Sequence, residues 1–283
     1  MKIGITGATG QLGHMVVEKL KTLVSAENIV ALVRSPHKAA ESGVEAREFD
    51  YTKPEKLISA LTGIDTLLLI SSNVIGQRAE HHSNVVQAAK KAGTKWIVYT
   101  SLLHADTSTI SLAGEHLATE KALQASGIPH TILRNGWYTE NFSGSIPGAI
   151  AGGAYLGSAG NGKLSCAARI DLAEAAVVVM TGKGHQGKVY ELAGDTAYSL
   201  SDLAAEISKQ SGKNVVYKDL PEAEYANILK SYGLPEDLAR AIASWDVAVS
   251  KGDMFDNGRQ LSKLIGRPTT PLADTVRQVV HQG

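Results

Sequence analysis

Lys2-Ile-Gly-Ile-Thr-Gly7-Ala-Thr-Gly10-Gln-Leu-Gly13 opens the chain, and its reading decides the fold. Lys2 to Thr6 is a short strand signal, after which Leu12, Val16, Leu20 and Leu23 recur at helical spacing. Three glycines stand between strand and helix in the pattern G-x-x-G-x-x-G. Gly7 permits a tight turn that a side chain would oppose. Gly10 lets the backbone approach a pyrophosphate, and Gly13 lets the helix pack closely on the sheet. The free N–H groups and positive dipole end of the helix then face the phosphates. Strand, glycines, helix and a further strand in this order predict a dinucleotide site on Gly7, Thr9, Gly10, Gln11, Leu12 and Gly13.

Working outward, Ile29 to Val33 is a β-rich run, and Ser35 before Pro36 is an N-cap signal with proline at the first helical position. Val44 to Phe49 is a third strand, and Thr52-Lys-Pro-Glu55 matches a capping box. Thr66 to Ile70 is apolar throughout, as befits a parallel strand covered on both faces, and stops at Ser71, Ser72 and Asn73. A helix closing at Gly93, a strand from Trp96 to Tyr99, a helix from Leu112 to Ala125 and a strand from Thr131 to Leu133 continue the alternation. This pattern predicts an α/β fold, a Rossmann-type doubly wound parallel sheet with a smaller C-terminal substrate lobe.

The later chain reads differently. Glycines crowd the segment from Gly144 to Gly162, which predicts loops and an irregular crossing. Asp171-Leu-Ala-Glu174 matches a second capping box, and Val189 to Leu192 is a strand signal; both are expected to return to the main sheet. Ser201 to Ser211 and Glu222 to Tyr232 are predicted helices of the lobe. The expected organisation is a cofactor-binding Rossmann domain over 1–135 and 165–197, with a substrate-binding lobe over 136–164 and 198–283.

Composition excludes several classes of partner. The 28 basic residues balance the 28 acidic ones with no basic block, which argues against nucleic acid and anionic membrane surfaces. No apolar run is long enough to span a bilayer, and the N-terminus lacks the core of a secretory signal, so a cytoplasmic protein is expected. Cys166 is the single cysteine, which rules out an internal disulfide. His81 and His82 are adjacent and would point apart on a helix, so no metal is expected; nor is any self-association pattern evident.

An acidic residue ending the second strand would mark a site for an unphosphorylated ribose. Arg34 stands there instead, a residue suited to a 2′-phosphate and hence to NADPH; a solvated surface arginine is the plain alternative. Ser71, Ser72 and Asn73 lie beyond a central strand, where they could line the cofactor or simply form the loop. Asn135 and Gly136 follow another strand end, where the backbone could meet the nicotinamide. Trp137 and Tyr138 could stack on a flat acceptor or pack a lobe junction. Ser101 and His104 are candidate substrate contacts, and Arg169 is a further cofactor candidate.

The segments ITGATGQLG, YTSLLHAD and LRNGWYTEN, together with Arg34, resemble the NmrA-like atypical short-chain dehydrogenases. Within that group the chain is similar to bacterial NADPH-dependent quinone oxidoreductases and, more distantly, to triphenylmethane-dye reductases. The resemblance implies NADPH as cofactor and a quinone as small-molecule acceptor. Ordinary short-chain dehydrogenases carry Tyr-x-x-x-Lys, in which tyrosine gives a proton to a carbonyl. Here Leu117 stands at the tyrosine position if Lys121 is the lysine, and leucine transfers no proton. Lys121 and His116 are the remaining catalytic candidates, each also readable as structural. Flavin-free hydride transfer to a quinone, which depends chiefly on positioning, is the expected activity. The alternatives are a cofactor-binding redox sensor without turnover and a reductase of another flat acceptor such as a dye.

Overall fold

Residues 1–282 are described by a computed structural model. The chain forms two compact units, Met1–Asp106 with Leu112–Asn135 and Arg169–Glu191, and Thr107–Ser111 with Gly136–Ala168 and the chain from Leu192 onward. The short segments 107–111, 165–168 and 192–197 thus fall in the second unit.

The first unit carries β1 (Ile3–Thr6), α1 (Gln11–Lys21), β2 (Ile29–Val33), β3 (Glu45–Glu48), α2 (Pro54–Leu61), β4 (Thr66–Leu69), α3 (Arg78–Ala92), β5 (Trp96–Leu102), α4 (Ala113–Ser126) and β6 (His130–Asn135). The chain returns to it, after α5 (Ile146–Gly152) and β7 (Ala154–Gly157), with α6 (Arg169–Thr181) and β8 (Val189–Leu192). The sheet order is β3-β2-β1-β4-β5-β6-β8, with parallel register from β3 through β6. Strand order reverses between β1 and β4, and ligands of such sheets bind at the carboxyl ends of the strands flanking that point.

Apolar periodicity decides the packing. Val30, Leu32, Leu67, Leu69, Ile97 and Ile132 of the strands form one core with Leu57 and Leu61 of α2 and Val85 and Ala89 of α3. Each fully buried Leu or Ile contributes about 1.5–3 kcal/mol relative to exposure. α1 packs on α6, with Lys19 paired to Glu174 at 3.0 Å.

The expected sheet is present, including the return of α6 and β8, but several local signals read differently. α1 ends at Lys21, leaving Leu23 exposed in the following turn. Pro36–Ser42 is a 3-10 turn that Ser35 does not cap. Thr52 bonds Asp50 instead of capping, so α2 begins at Pro54. Asp171 lies inside α6, not before it. The glycine-rich segment is more regular than predicted: it holds α5 and β7.

The second unit also contains α7 (Leu200–Ser211), β9 (Val216–Asp219), α8 (Glu222–Ser231), α9 (Glu236–Ser250), α10 (Gln260–Ile265) and α11 (Leu272–Gln282). β7 and β9 pair in parallel, and α7 starts at a true capping box in which Ser199 and Asp202 exchange hydrogen bonds. Asp253 holds the 107–111 segment by accepting from Ser108 and Thr109, and the Trp245 indole N–H donates to Ser111 Oγ at 2.9 Å. No helix among the described residues is long and apolar enough to cross a membrane.

Two buried imidazoles join the helices of the first unit to strand ends. His82 Nε2 accepts the Ser72 N–H at 2.9 Å while its Nδ1 lies 2.9 Å from Thr119 Oγ1. His116 Nδ1 lies 2.7 Å from Tyr99 Oη. Burial pushes both histidines down to about 3. His116 is therefore a neutral core residue and not the acid that the sequence allowed.

Neutral burial has a pH consequence. Unfolding exposes both rings, which then take protons below about pH 6.5. Their stabilising contribution is present above that value and declines as pH falls toward the folded value of about 3, with a slope of up to about 1.4 kcal/mol per pH unit for each ring. Urea unfolding at pH 7 and pH 5 checks this: the midpoint is expected to fall in acid, and to fall less in a His116→Gln variant.

Candidate functional site

β1 ends at Thr6, and the next residue turns the chain sharply: Gly7 has φ +59°, the left-handed region that favours glycine. The turn closes through Gly10 N–H to Gly7 O at 2.8 Å. Gly10 is the extended N-cap of α1 and supplies no side-chain cap, so the first-turn N–H groups of Gln11, Leu12 and Gly13 point outward. Gly13 is the tightest point. A Cβ there would stand 2.3 Å from Gly7 O and 2.8 Å from Ala8 Cα. Its glycine is needed for the approach of helix to loop backbone, not of helix to sheet as the motif predicted. Leu12 contributes only backbone, because its side chain is buried, whereas Thr9 and Gln11 are exposed.

The β4 end lies beside this loop. Ile70 N–H donates to Thr6 Oγ1 at 2.8 Å, and Ser71 N–H donates to Thr100 Oγ1 at 2.9 Å. The Ser71 hydroxyl and the exposed Asn73 side chain form no hydrogen bond among the described residues. Ser72 is different. It is buried, its Oγ accepts the Val74 N–H and lies 3.2 Å from His81, and its carbonyl accepts from Arg78, so it holds the loop and does not line a ligand.

Arg34 follows β2 with its guanidinium exposed and without a hydrogen bond or ion pair among the described residues. Phe49 N–H donates to Val33 O, which brings the next two residues alongside. Burial raises the Asp50 carboxyl, but hydrogen bonds from Thr52 and the charges of Lys53 and Arg34 outweigh it and leave it below its ordinary value. Tyr51 is raised by burial and donates its hydroxyl to Ile70 O at 3.0 Å. A groove of about 410 Å3 beside the loop is walled by Thr9, His14, Lys38 and Ser42, among others. Asp50, Tyr51 and Lys38 escaped the sequence reading, since only β2–β3 pairing and the 3-10 turn bring them near Arg34 and the loop.

The far half of the sheet is bound by one guanidinium. Arg134 on β6 makes a forked pair with Glu120, at 3.0 and 2.8 Å, and reaches Glu191 and Asp106, each at 2.9 Å. Chiefly through Glu120, these bonds hold Arg134 more firmly protonated than usual, and Arg134 holds Asp106 below its ordinary value. Ser101 is buried and gives its hydroxyl to Glu120 Oε1 at 2.6 Å, so it belongs to this cluster and not to a substrate contact. His104 is half-buried with φ 53°, and its N–H donates to Glu191. Lys121 is exposed on α4, turned away from the buried face of Ala113, His116, Thr119 and Leu123. Arg169 opens α6 and is half-buried.

Asn135 ends β6 with its Oδ1 buried and lacking a partner among the described residues, an unmet acceptor of the kind a bound group satisfies. Together with the side-chain-free glycine loop, this orphan fits a nicotinamide dinucleotide. Gly136 serves packing: its N–H donates to Leu192 O at 2.7 Å, and a Cβ would meet the Leu192 and Ser165 carbonyls.

The second unit contains a cavity of about 800 Å3. Trp137, Phe142, Tyr155, Tyr225, Tyr232 and Trp245 give it aromatic walls, and Asp246 is a carboxyl among them. Trp137 and Trp245 meet edge to face, 5.4 Å between ring centres. Tyr138 is not among the lining residues, and its backbone forms a β-bridge with Ala167. Cys166 offers no nucleophile, because burial pushes its thiol up to about 12. No cluster among the described residues could hold a metal ion.

Comparison with known proteins agrees with this geometry. The chain is 56% identical, over 99% of both sequences, to quinone oxidoreductase 2 of Escherichia coli (strain K12). The crystal structure of an NADPH-dependent quinone oxidoreductase from Escherichia coli in complex with NADPH superposes with TM-score 0.96 at 56% identity, covering 98% of this chain and 99% of that one. The Citrobacter triphenylmethane reductase complexed with NADP(H) gives TM-score 0.95 at 41% identity, covering 98% of this chain and all (100%) of that one. The NmrA-like family model matches residues 1–274, and the chain belongs to the NmrA-like family.

Proposed function

We propose that this protein is a flavin-independent oxidoreductase of the cytoplasm that passes hydride from NADPH to a quinone. The observation that carries the reading is the glycine cradle with Arg34, and no acidic residue, at the end of β2. Its near-full-length likeness to an NADPH-dependent quinone oxidoreductase supports the same assignment.

The backbone of Gly7 and Gly10–Gly13 would hold the pyrophosphate, with Thr9 and Gln11 at its edge. Arg34 would hold the 2′-phosphate, helped by Lys38, with Asp50 and Tyr51 beside the adenosine. Ser71, Asn73 and the orphan Oδ1 of Asn135 would bind the nicotinamide half, with His104 and Arg169 as further contacts. NADPH, when bound, supplies the hydride. The aromatic cavity of the second unit takes the flat acceptor, with Trp137 as one wall. Its volume of about 800 Å3 also admits a larger multi-ring acceptor, so dye reduction is a second activity of the same pocket. Lys121 is left without a chemical role.

Arg34→Ala removes charge-assisted hydrogen bonds worth about 1.5–3 kcal/mol, so the Kd for NADPH should rise roughly 10- to 100-fold while that for NADH barely changes. Equal losses for the two cofactors would remove the phosphate contact. The activity itself is checked by following oxidation of NADPH and of NADH by flavin-free protein with tetramethyl-para-benzoquinone. Turnover faster with NADPH is expected; cofactor binding with no turnover on quinones or dyes would point to a sensor instead.

A further inference from the structure

The aromatic cavity holds one acid, Asp246, only half of whose carboxyl has a partner among the described residues. Asp246 lies on α9 within the apolar run Trp245, Val247, Ala248 and Val249, and it lines the cavity. Its Oδ2 accepts the Ser158 N–H at 2.9 Å. Residue 157 must be glycine for this, because a Cβ would stand 2.8 Å from the same oxygen. The carboxyl is thereby held in one orientation. Its other oxygen, Oδ1, makes no hydrogen bond among the described residues, and no cation pairs with it. Helix propensity and packing would both favour an apolar residue at this position.

The surroundings favour the protonated form. Tyr155 of β7, Tyr217 of β9 and Tyr225 of α8 face Asp246, and Asp219 at the end of β9 adds a like charge; Lys218 lines the same cavity without pairing with it. Burial, opposed by the Ser158 N–H and reinforced by Asp219, pushes the carboxyl up to about 6. A flat apolar acceptor filling the cavity displaces water and raises it further. An acid poised near neutral pH is what proton donation requires.

We infer that Asp246 is the proton donor of the acceptor pocket, hydrogen-bonded through its free oxygen to a quinone carbonyl and protonating it as the ring is reduced. The inference rests on the quinone reading above. The hydride's electron pair forms the new bond to the acceptor and leaves the nicotinamide oxidised. The Asp246 O–H bond breaks, its proton passes to the quinone oxygen, and hydroquinone forms. The Asp246 carboxylate then regains a proton from solvent. This supplies the acid that Leu117 cannot.

The test compares wild type with Asp246→Asn, whose amide oxygen still accepts from Ser158, using NADPH and tetramethyl-para-benzoquinone. Wild-type kcat/KM is expected to fall as pH rises through the Asp246 titration, and the variant's kcat to be roughly 100-fold lower and level with pH. NADPH affinity should be unchanged. A second readout needs no turnover: calorimetry of quinone binding in buffers of different ionisation heat should show proton uptake near pH 7 in wild type and none in the variant. Wild-type turnover with no alkaline decline, or a variant that keeps both kcat and pH profile, overturns the assignment while the quinone reading stands. No wild-type turnover at all overturns that reading itself.

Discussion

The lack of room for any side chain at Gly13 is the constraint on which the first unit depends. With 2.3 Å between its virtual Cβ and Gly7 O, a single methyl group would push α1 off the loop that follows β1. That approach is what aims the first-turn N–H groups of α1 outward from the carboxyl end of the sheet. It also leaves α1 free to pack on α6 along its other face. The β1–β4 junction, pinned by Thr6 and Ile70, then sets the loop after β4 beside the glycine turn. A binding surface made of backbone is cheap in side-chain entropy and tolerant of sequence, but only where no side chain intrudes.

Polar side chains around the sheet end divide into two populations. Ser72, Ser101, His82, His116, Arg134 and Glu120 make hydrogen bonds to neighbouring side chains or to the backbone, and they tie strands to helices. Thr9, Gln11, Arg34, Ser71 and Asn73 have capacity left, and Asn135 has a buried acceptor with nothing to accept. Buried polar groups left unmatched are costly, and a bound group that meets one recovers that cost. This division, and not residue type, separates the groups with hydrogen-bonding capacity left from those already engaged.

The second unit follows a different logic. Its cavity has mostly apolar and aromatic walls, which offer shape and ring faces more than hydrogen-bonding groups. Among those walls a single oriented carboxyl has great leverage, because low polarity strengthens any hydrogen bond it makes and shifts its proton affinity toward neutrality.

Local sequence sufficed for the alternation of strands and helices, the glycine turn and the place of Arg34 at the end of β2, because each rests on interactions within a few residues or on a single strand–turn–helix unit. Helix starts were read less well: Thr52-Lys-Pro-Glu55 and Asp171-Leu-Ala-Glu174 have the spelling of capping boxes, yet competing bonds to Asp50 and an earlier start of α6 override them. The strand-end candidates could not be sorted from sequence, since whether Ser101 faces a ligand or Glu120, 19 residues away, depends on how α4 docks on β5. Likewise the sequence does not single out Asp246, because its setting exists only once β7, β9 and α8 close around it. What the sequence determined by itself is the fold and the backbone cradle; which side chains remain free for chemistry was decided only by tertiary packing, because it is packing over long sequence separations that satisfies or orphans each polar group.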